Sequence, residues 1–358
     1  MAKQFRAQML LPSSVPQDGF IGRVTHNIFA SGDDVVSCAR FPLRKCLRIG
    51  NVHGLHTGDV VKVHPNGMIV RLWDSTSLHN CIYVTNTCNF KCIMCPQPPC
   101  ADNPSQHADN IRLLRLLNGN IEMIGITGGE PTLFPDRLND YFSIINDKFP
   151  NARVEILTNG SPLADFDIAK TLALAAPFNL CWCVSLHGDT ATLAESIMHC
   201  RNGWDKAVQG IINLAKLRQQ IEIRIVLTKK NVPYVEDIAM FIYRNFPFVS
   251  HIAFMGQEII GEALRNYSDI WIEPIEFVAS LNSAVLNLHA LGMNVSIYNI
   301  PLCILPESCW RFARRSISDW KQRYVPCCEK CQRQDTCCGF FTTSGEHLPK
   351  GIHELQRS

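Results

Sequence analysis

The chain has 358 residues, of which 18% are charged and 46% hydrophobic, and a formal net charge of +2. That is long enough for two or three domains with a sizeable core, and too apolar for a disordered chain. The balanced charge argues against nucleic acid or an anionic membrane as partner, and no apolar run is long enough to span a bilayer or form a signal-peptide core. Seventeen cysteines are the outlier. In a large chain without a signal-peptide core they point to metal binding or chemistry in a reducing cytoplasm, not to a disulfide framework.

Residues 1–78 read as a small β-rich accessory domain. Gly50-Asn51, Thr57-Gly58-Asp59 and Pro65-Asn66-Gly67 are turn signals. Val60–His64 and Met68–Trp73 are short strands that the last turn joins into a hairpin. His26, His53, His56 and His64 match no metal-ligand spacing and read as surface or core histidines.

From residue 79 strands alternate with helices. Strands are expected over 81–87, 121–127, 152–158, 179–187, 221–228 and 249–256. Leu138, Tyr141, Phe142, Ile145 and Phe149 recur at helical spacing, as do Val235, Ile238, Ala239 and Ile242. The pattern predicts an α/β fold: a partial (βα)6 TIM-like barrel over 79–262. Within 221–228, Ile221, Ile223, Ile225 and Leu227 alternate with Glu222, Arg224, Val226 and Thr228. The apolar set should face the helices and Arg224 the lumen; the same logic turns Ser185, Cys181 and Cys183 inward. A helix over 274–291, a strand over 293–298 and a cysteine-rich region complete the C-terminal part, 263–358.

Function in such barrels gathers at the carboxyl ends of the strands. Beyond the first strand lies Cys88-Asn89-Phe90-Lys91-Cys92-Ile93-Met94-Cys95. Three soft thiolates at this spacing suit an iron–sulfur cluster or zinc. Closed sites of either kind use four ligands, so three thiolates with an open corner fit a [4Fe–4S] cluster whose fourth iron binds something else. A zinc knuckle is the other reading. The second strand ends in Thr127-Gly128-Gly129-Glu130-Pro131-Thr132, where paired glycines let backbone approach a ligand. Thr158-Asn159-Gly160 and Val184-Ser185-Leu186-His187-Gly188 end the third and fourth strands. The tail offers Cys303, Cys309, Cys327-Cys328, Cys331 and Cys337-Cys338. Cys328, Cys331 and Cys337 form a compact run that Cys303 could complete as a four-thiolate site, for zinc or for iron and sulfide. On spacing alone Cys327 could replace Cys328, and Cys338 could replace Cys337.

The C-x3-C-x2-C run followed by Gly-Gly-Glu-Pro resembles the radical S-adenosylmethionine (SAM) superfamily. The resemblance implies a [4Fe–4S] cluster on Cys88, Cys92 and Cys95 that binds SAM and yields a 5′-deoxyadenosyl radical. It implies that Met94 lies against the adenine, that Gly128, Gly129 and Glu130 hold the SAM amino group, that Ser185 lies near the ribose, and that Arg224 pairs with the SAM carboxylate. The tail resembles the auxiliary-cluster region of radical SAM peptide maturases. The extension Pro96-Gln97-Pro98-Pro99 and the overall layout are similar to the His-Xaa-Ser system radical SAM maturases of the HxsC type. That similarity implies a peptide or protein substrate with His-Xaa-Ser repeats, a second radical SAM maturase beside it, and an electron donor. A radical SAM enzyme acting on RNA or a small molecule, and a non-enzymatic zinc-binding scaffold, are the alternatives.

Overall fold

The computed structural model describes residues 4–6, 19–26, 34–37, 47–49 and 54–356. The turn at Gly50-Asn51 and His53 lie outside these residues, as does the side chain of His26. The predicted hairpin forms: β5 (Val60–Val63) and β6 (Met68–Trp73) pair antiparallel around Pro65-Asn66-Gly67. Asn66 closes the turn by accepting the Met68 N–H at 3.1 Å. With β1 (Gln4–Arg6), β2 (Phe20–His26), β3 (Asp34–Ser37) and β4 (Leu47–Ile49) they make an antiparallel sheet of six strands, ordered β1-β6-β5-β2-β3-β4. Part of its buried face joins the core of the following unit. Ile21, Val60 and Trp73 are buried in the same apolar cluster as Leu113 and Leu117 of the following unit.

The second sheet is parallel and follows the chain. Its strands are β7 (Cys81–Tyr83), β8 (Met123–Thr127), β9 (Arg153–Thr158), β10 (Leu180–Ser185), β11 (Gln220–Val226), β12 (His251–Met255), β13 (Val295–Tyr298) and β14 (Ala313–Arg314), in that spatial order. Between them run α1 (Gln106–Leu116), α2 (Pro135–Lys148), α3 (Phe166–Ala175), α4 (Ala191–Met198), α5 (Gly203–Lys216), α6 (Val235–Asn245), α7 (Glu262–Arg265), α8 (Tyr267–Ile270), α9 (Pro274–Ala290) and α10 (Glu307–Trp310). Parallel neighbours need crossovers, and sequential order is what right-handed crossovers on one face produce. The six predicted barrel strands are all present, but the sheet continues for two more. β13 pairs with β12 and β14 with β13, so the expected boundary at 262 cuts through the sheet. The strand at 293–298 was read apart from the barrel because the repeat fades there; β14 has only two residues and no alternation to read.

The facing residues fall as the alternation requires. Ile221, Ile223, Ile225 and Leu227 are buried, as are Leu138, Tyr141, Phe142 and Ile145 of α2 and Val235, Ile238, Ala239 and Ile242 of α6. After β14 the chain turns irregular. A two-stranded ribbon, β15 (Gln322–Arg323) with β16 (Phe340–Phe341), and short 3-10 turns order it. Among the described residues no helix is long and apolar enough to cross a membrane.

Candidate active site

β7 is short, and the chain leaves it through Val84–Thr87 before entering the cysteine loop. The Gly-Gly-Glu turn after β8 docks on this exit. The Gly129 N–H donates to Thr85 O at 2.7 Å and the Glu130 N–H to Thr87 O at 2.8 Å. A side chain could not replace either glycine: a Cβ on Gly128 would lie 2.7 Å from Thr85 O, and one on Gly129 2.1 Å from Thr87 O. Those neighbours are backbone and cannot swing aside. The second motif therefore abuts the residue preceding Cys88.

Glu130 does not reach outward. Its fully buried carboxyl accepts from the Thr132 N–H and hydroxyl at 3.0 and 2.7 Å, the Thr158 hydroxyl at 2.6 Å and the Asn159 N–H at 2.6 Å. Burial raises its pKa above the usual carboxylate value, and these donors oppose the shift. The Asn159 side-chain amide then donates to Asn89 Oδ1 at 2.8 Å and toward Cys88 Sγ at 3.8 Å, while Asn89 donates to Ser161 Oγ at 2.7 Å. Glu130 thus ties the ends of β8 and β9 together, and Asn159 passes that anchor to the cysteine loop. The carboxyl is thus engaged by protein donors rather than free for the SAM amino group that the resemblance implies.

The far side of the loop is held by two other segments. Lys91 and Ile93 donate their N–H groups to Met198 O and Ile197 O at the end of α4, at 3.2 and 3.0 Å. Glu262 N–H donates to Cys95 O at 2.9 Å, and the Asn266 amide to Ile93 O at 3.0 Å. Met94 is buried among Ile93, Ile197, Ala263 and Ile270. Phe90 packs on Ala194 and Met198, beside Cys200. The Cys200 thiol points to Arg201 O at 3.8 Å.

Cys88, Cys92 and Cys95 are each half-buried and free of disulfides. Burial pushes the Cys88 thiol up to about 11 and those of Cys92 and Cys95 above the ordinary value; Cys95 adds to the rise at Cys88, and both neighbours add to it at Cys92. Three thiols converging in a partly desolvated loop favour the thiolate only when a cationic centre compensates them. The donor set fits a [4Fe–4S] cluster. Among the described residues only His56, Asp59 and Asp74 bring three ligand atoms within 4.8 Å of one another. Asp59 there is already satisfied by Arg71, Ser75 and the His56 N–H.

Deeper in the lumen lies a polar chain that the sequence did not announce. Arg224 faces inward as expected, but its guanidinium is held by Glu222 and, at 3.0 Å, by Glu155. It is not left free for the SAM carboxylate. His251 bonds Glu222 at 2.7 Å and the Ser296 hydroxyl at 2.9 Å through its two ring nitrogens. Burial alone would raise Glu222, but His251 and Arg224 hold it down at about 2. Register pairs Ser185 with Arg224, which puts it half-buried at the carboxyl end of β10. His187 is buried; it accepts the Val226 N–H at 3.3 Å, and burial lowers it to about 4, so it is a neutral structural histidine. Cys181 and Cys183 are buried, Cys183 against Arg224. Only Glu222 and Arg224 were visible in the strand alternation. Glu155, His251 and Ser296 come from strands whose polar positions looked incidental.

The tail brings its own group together. Cys303, Cys328, Cys331 and Cys337 line one cavity with Tyr324, Phe340 and the C-terminal residues His353 and Leu355. Cys309 lies in the main core, its thiol 3.2 Å from Asn282 Oδ1.

Residues 82–242 match the family model of the Radical SAM superfamily. A GTP 3′,8-cyclase of Campylobacter jejuni subsp. doylei is 30% identical over 170 residues, covering 45% of this chain and 51% of that protein. The chain thus spans about half the length of the curated relatives it matches. Among solved structures, anSMEcpe with bound AdoMet and a Cp18Cys peptide aligns over 61% of this chain and 62% of that one, with 19% identity and a TM-score of 0.45. A radical SAM methyltransferase from Sphaerobacter thermophilus aligns over 78% and 77%, with 14% identity and a TM-score of 0.43. The match to residues 82–242 covers both the three-cysteine loop and the Gly-Gly-Glu turn, and it supports a radical SAM core with a [4Fe–4S] cluster and SAM as cofactors.

Proposed function

We propose that the chain is a radical SAM enzyme that modifies a peptide or protein substrate. The observation that carries the catalytic part is the docking of Gly128–Glu130 on Thr85–Thr87, which puts the two motifs side by side at the barrel mouth. Bound there, the cluster and SAM supply reductive cleavage of the sulfonium bond and a 5′-deoxyadenosyl radical that takes a hydrogen atom from substrate. The chain's own residues do the rest. Cys88, Cys92 and Cys95 supply the thiolates, and Asn159 and Asn89 fix the loop that carries them. Met94 and the apolar groups around it exclude water beside the loop. The Glu155–Arg224–Glu222–His251–Ser296 chain gives the lumen a fixed polar floor.

The Pro-Gln-Pro-Pro extension and the cysteine-rich tail support a substrate with His-Xaa-Ser repeats, modified in a reducing cytoplasm with an electron donor and a second maturase at hand. The similarity to GTP 3′,8-cyclases supports a small-molecule substrate instead. One experiment separates the two. The anaerobically reconstituted protein is incubated with dithionite and SAM, and either with candidate small proteins co-expressed beside it or with GTP. Release of 5′-deoxyadenosine with a fixed mass change on one small protein supports the peptide reading. Turnover of GTP alone replaces it, and no release under any condition overturns the enzyme.

A further inference from the structure

We propose that a cleft between the barrel and the tail holds a ring-bearing side chain of the peptide substrate, an imidazole whose N–H donates to Gln257 Oε1. This rests on the peptide reading above. The cleft opens at the carboxyl ends of β11, β12 and β13, where Leu227, Gly256 and Asn299 follow the three strands, and Phe340, Phe341 and Leu348 line it from the tail. That end of the sheet also carries the cysteine loop and the Gly-Gly-Glu turn. The cleft volume of about 560 Å³ leaves room for a ring and the backbone on either side of it.

Gln257 supplies the fixed polar point. Its amide nitrogen donates to Leu227 O at 2.8 Å and to Ile270 O at 3.2 Å. With both hydrogens committed the amide cannot turn over. Its oxygen is buried and, among the described residues, has no donor. Buried acceptors in this state are rare and unfavourable, and a bound N–H removes the cost. Ile270, which takes one of the amide bonds, packs with Met94 of the cysteine loop. The cleft therefore adjoins the candidate active site, and a peptide anchored in it presents its neighbouring residues to the barrel mouth.

The rest of the lining selects the ring. Among the described residues no carboxylate, ammonium or guanidinium lines the cleft. A triphosphate or a charged side chain would be buried there unpaired. Trp271 and His347 form one wall, each packed on the Tyr267 ring with centroids 5.5 and 4.6 Å apart. Flat apolar walls favour a flat occupant. A neutral imidazole has one donor and one acceptor nitrogen. Gln257 Oε1 meets the first, and the Ser344 hydroxyl or the His347 ring, both of which line the cleft, can donate to the second. Phenyl offers neither nitrogen, and indole lacks the acceptor.

The test uses the full chain, reconstituted anaerobically, and a synthetic peptide of His-Ala-Ser repeats, with Phe-Ala-Ser and Trp-Ala-Ser repeats for comparison. Calorimetry should show the histidine peptide binding and the other two binding roughly tenfold or more weakly. Hydrogen exchange read by mass spectrometry should slow over residues 256–259 and 339–349 when the histidine peptide is added. Gln257→Leu should erase the preference for histidine, and Leu348→Trp, which fills the cleft, should abolish binding. Equal binding of the three peptides, no binding to folded wild type, displacement of the peptide by SAM, or protection that spares 339–349 overturns the proposal. If the variants do not fold, the peptide ranking and the exchange map of the wild type decide. A peptide held in the cleft yet never altered in mass with SAM and dithionite would sink the proposed function and leave this site standing. A peptide modified as fast by Leu348→Trp as by wild type would do the reverse.

Discussion

Two cysteine groups, built alike in sequence, are housed differently. The Cys88 loop gives three cysteines from one continuous stretch, and a glycine turn packs backbone to backbone against Thr85–Thr87 just ahead of it. The tail gives four thiolates from dispersed positions, enclosed by Tyr324, Phe340 and the terminal segment. The first group offers three sulfurs, the second four. Ligand count and enclosure, not cysteine content, separate a site that does chemistry from one that holds a group in place.

The sharpest way to break this contrast is Cys92→Ala. We expect it to bring 5′-deoxyadenosine release to background, read by product chromatography. Retained SAM cleavage would refute the ligand assignment. Gly129→Val comes next. Its Cβ would meet Thr87 O at 2.1 Å, and overpacking of this kind costs about 1–3 kcal/mol. SAM binding measured by calorimetry should weaken by roughly tenfold or more.

A third measurement concerns the lumen floor. Glu222 is held from an ordinary value of 4.5 down to about 2. Its folded value is depressed, so its contribution to stability is present above the unfolded pKa and fades as pH falls toward about 2. Urea midpoints of the wild type should therefore drop between about pH 5 and about pH 3, and Glu222→Gln should flatten part of that drop. Equal slopes would show that the Arg224–Glu222–His251 chain adds nothing to folding. The smallest effect is expected from Cys309→Ala. This thiol packs in the main core, and removing it should cost about 1 kcal/mol of stability and no iron. Iron loss would enlarge the tail's ligand set.

Much of this was legible because local chemistry and local spacing coincide. The Cys88 loop and the Gly-Gly-Glu turn each lie within a few residues of a strand end, and strand alternation placed Arg224 and the buried isoleucines of β11. The polar chain around Arg224 was not legible as a whole, because Glu155 reaches Arg224, His251 reaches Glu222 and Ser296 reaches His251 only through the register of five adjacent strands. Nor could sequence choose between Cys328 and Cys327, since the choice depends on how a short 3-10 turn over Pro326–Lys330 faces the tail. The eighth strand was invisible because two residues carry no period.

Gly261 has a reach beyond its own turn. At a φ of +62, with Pro96 O only 2.6 Å from where a Cβ would stand, it and its neighbours brace the third cysteine. The brace includes a hydrogen bond spanning 173 residues, from Asn266 to Ile93. During synthesis the cysteine loop therefore waits without that support until Asn266 has left the ribosome. Iron delivery to a nascent chain before then would find the thiols but not their finished seat.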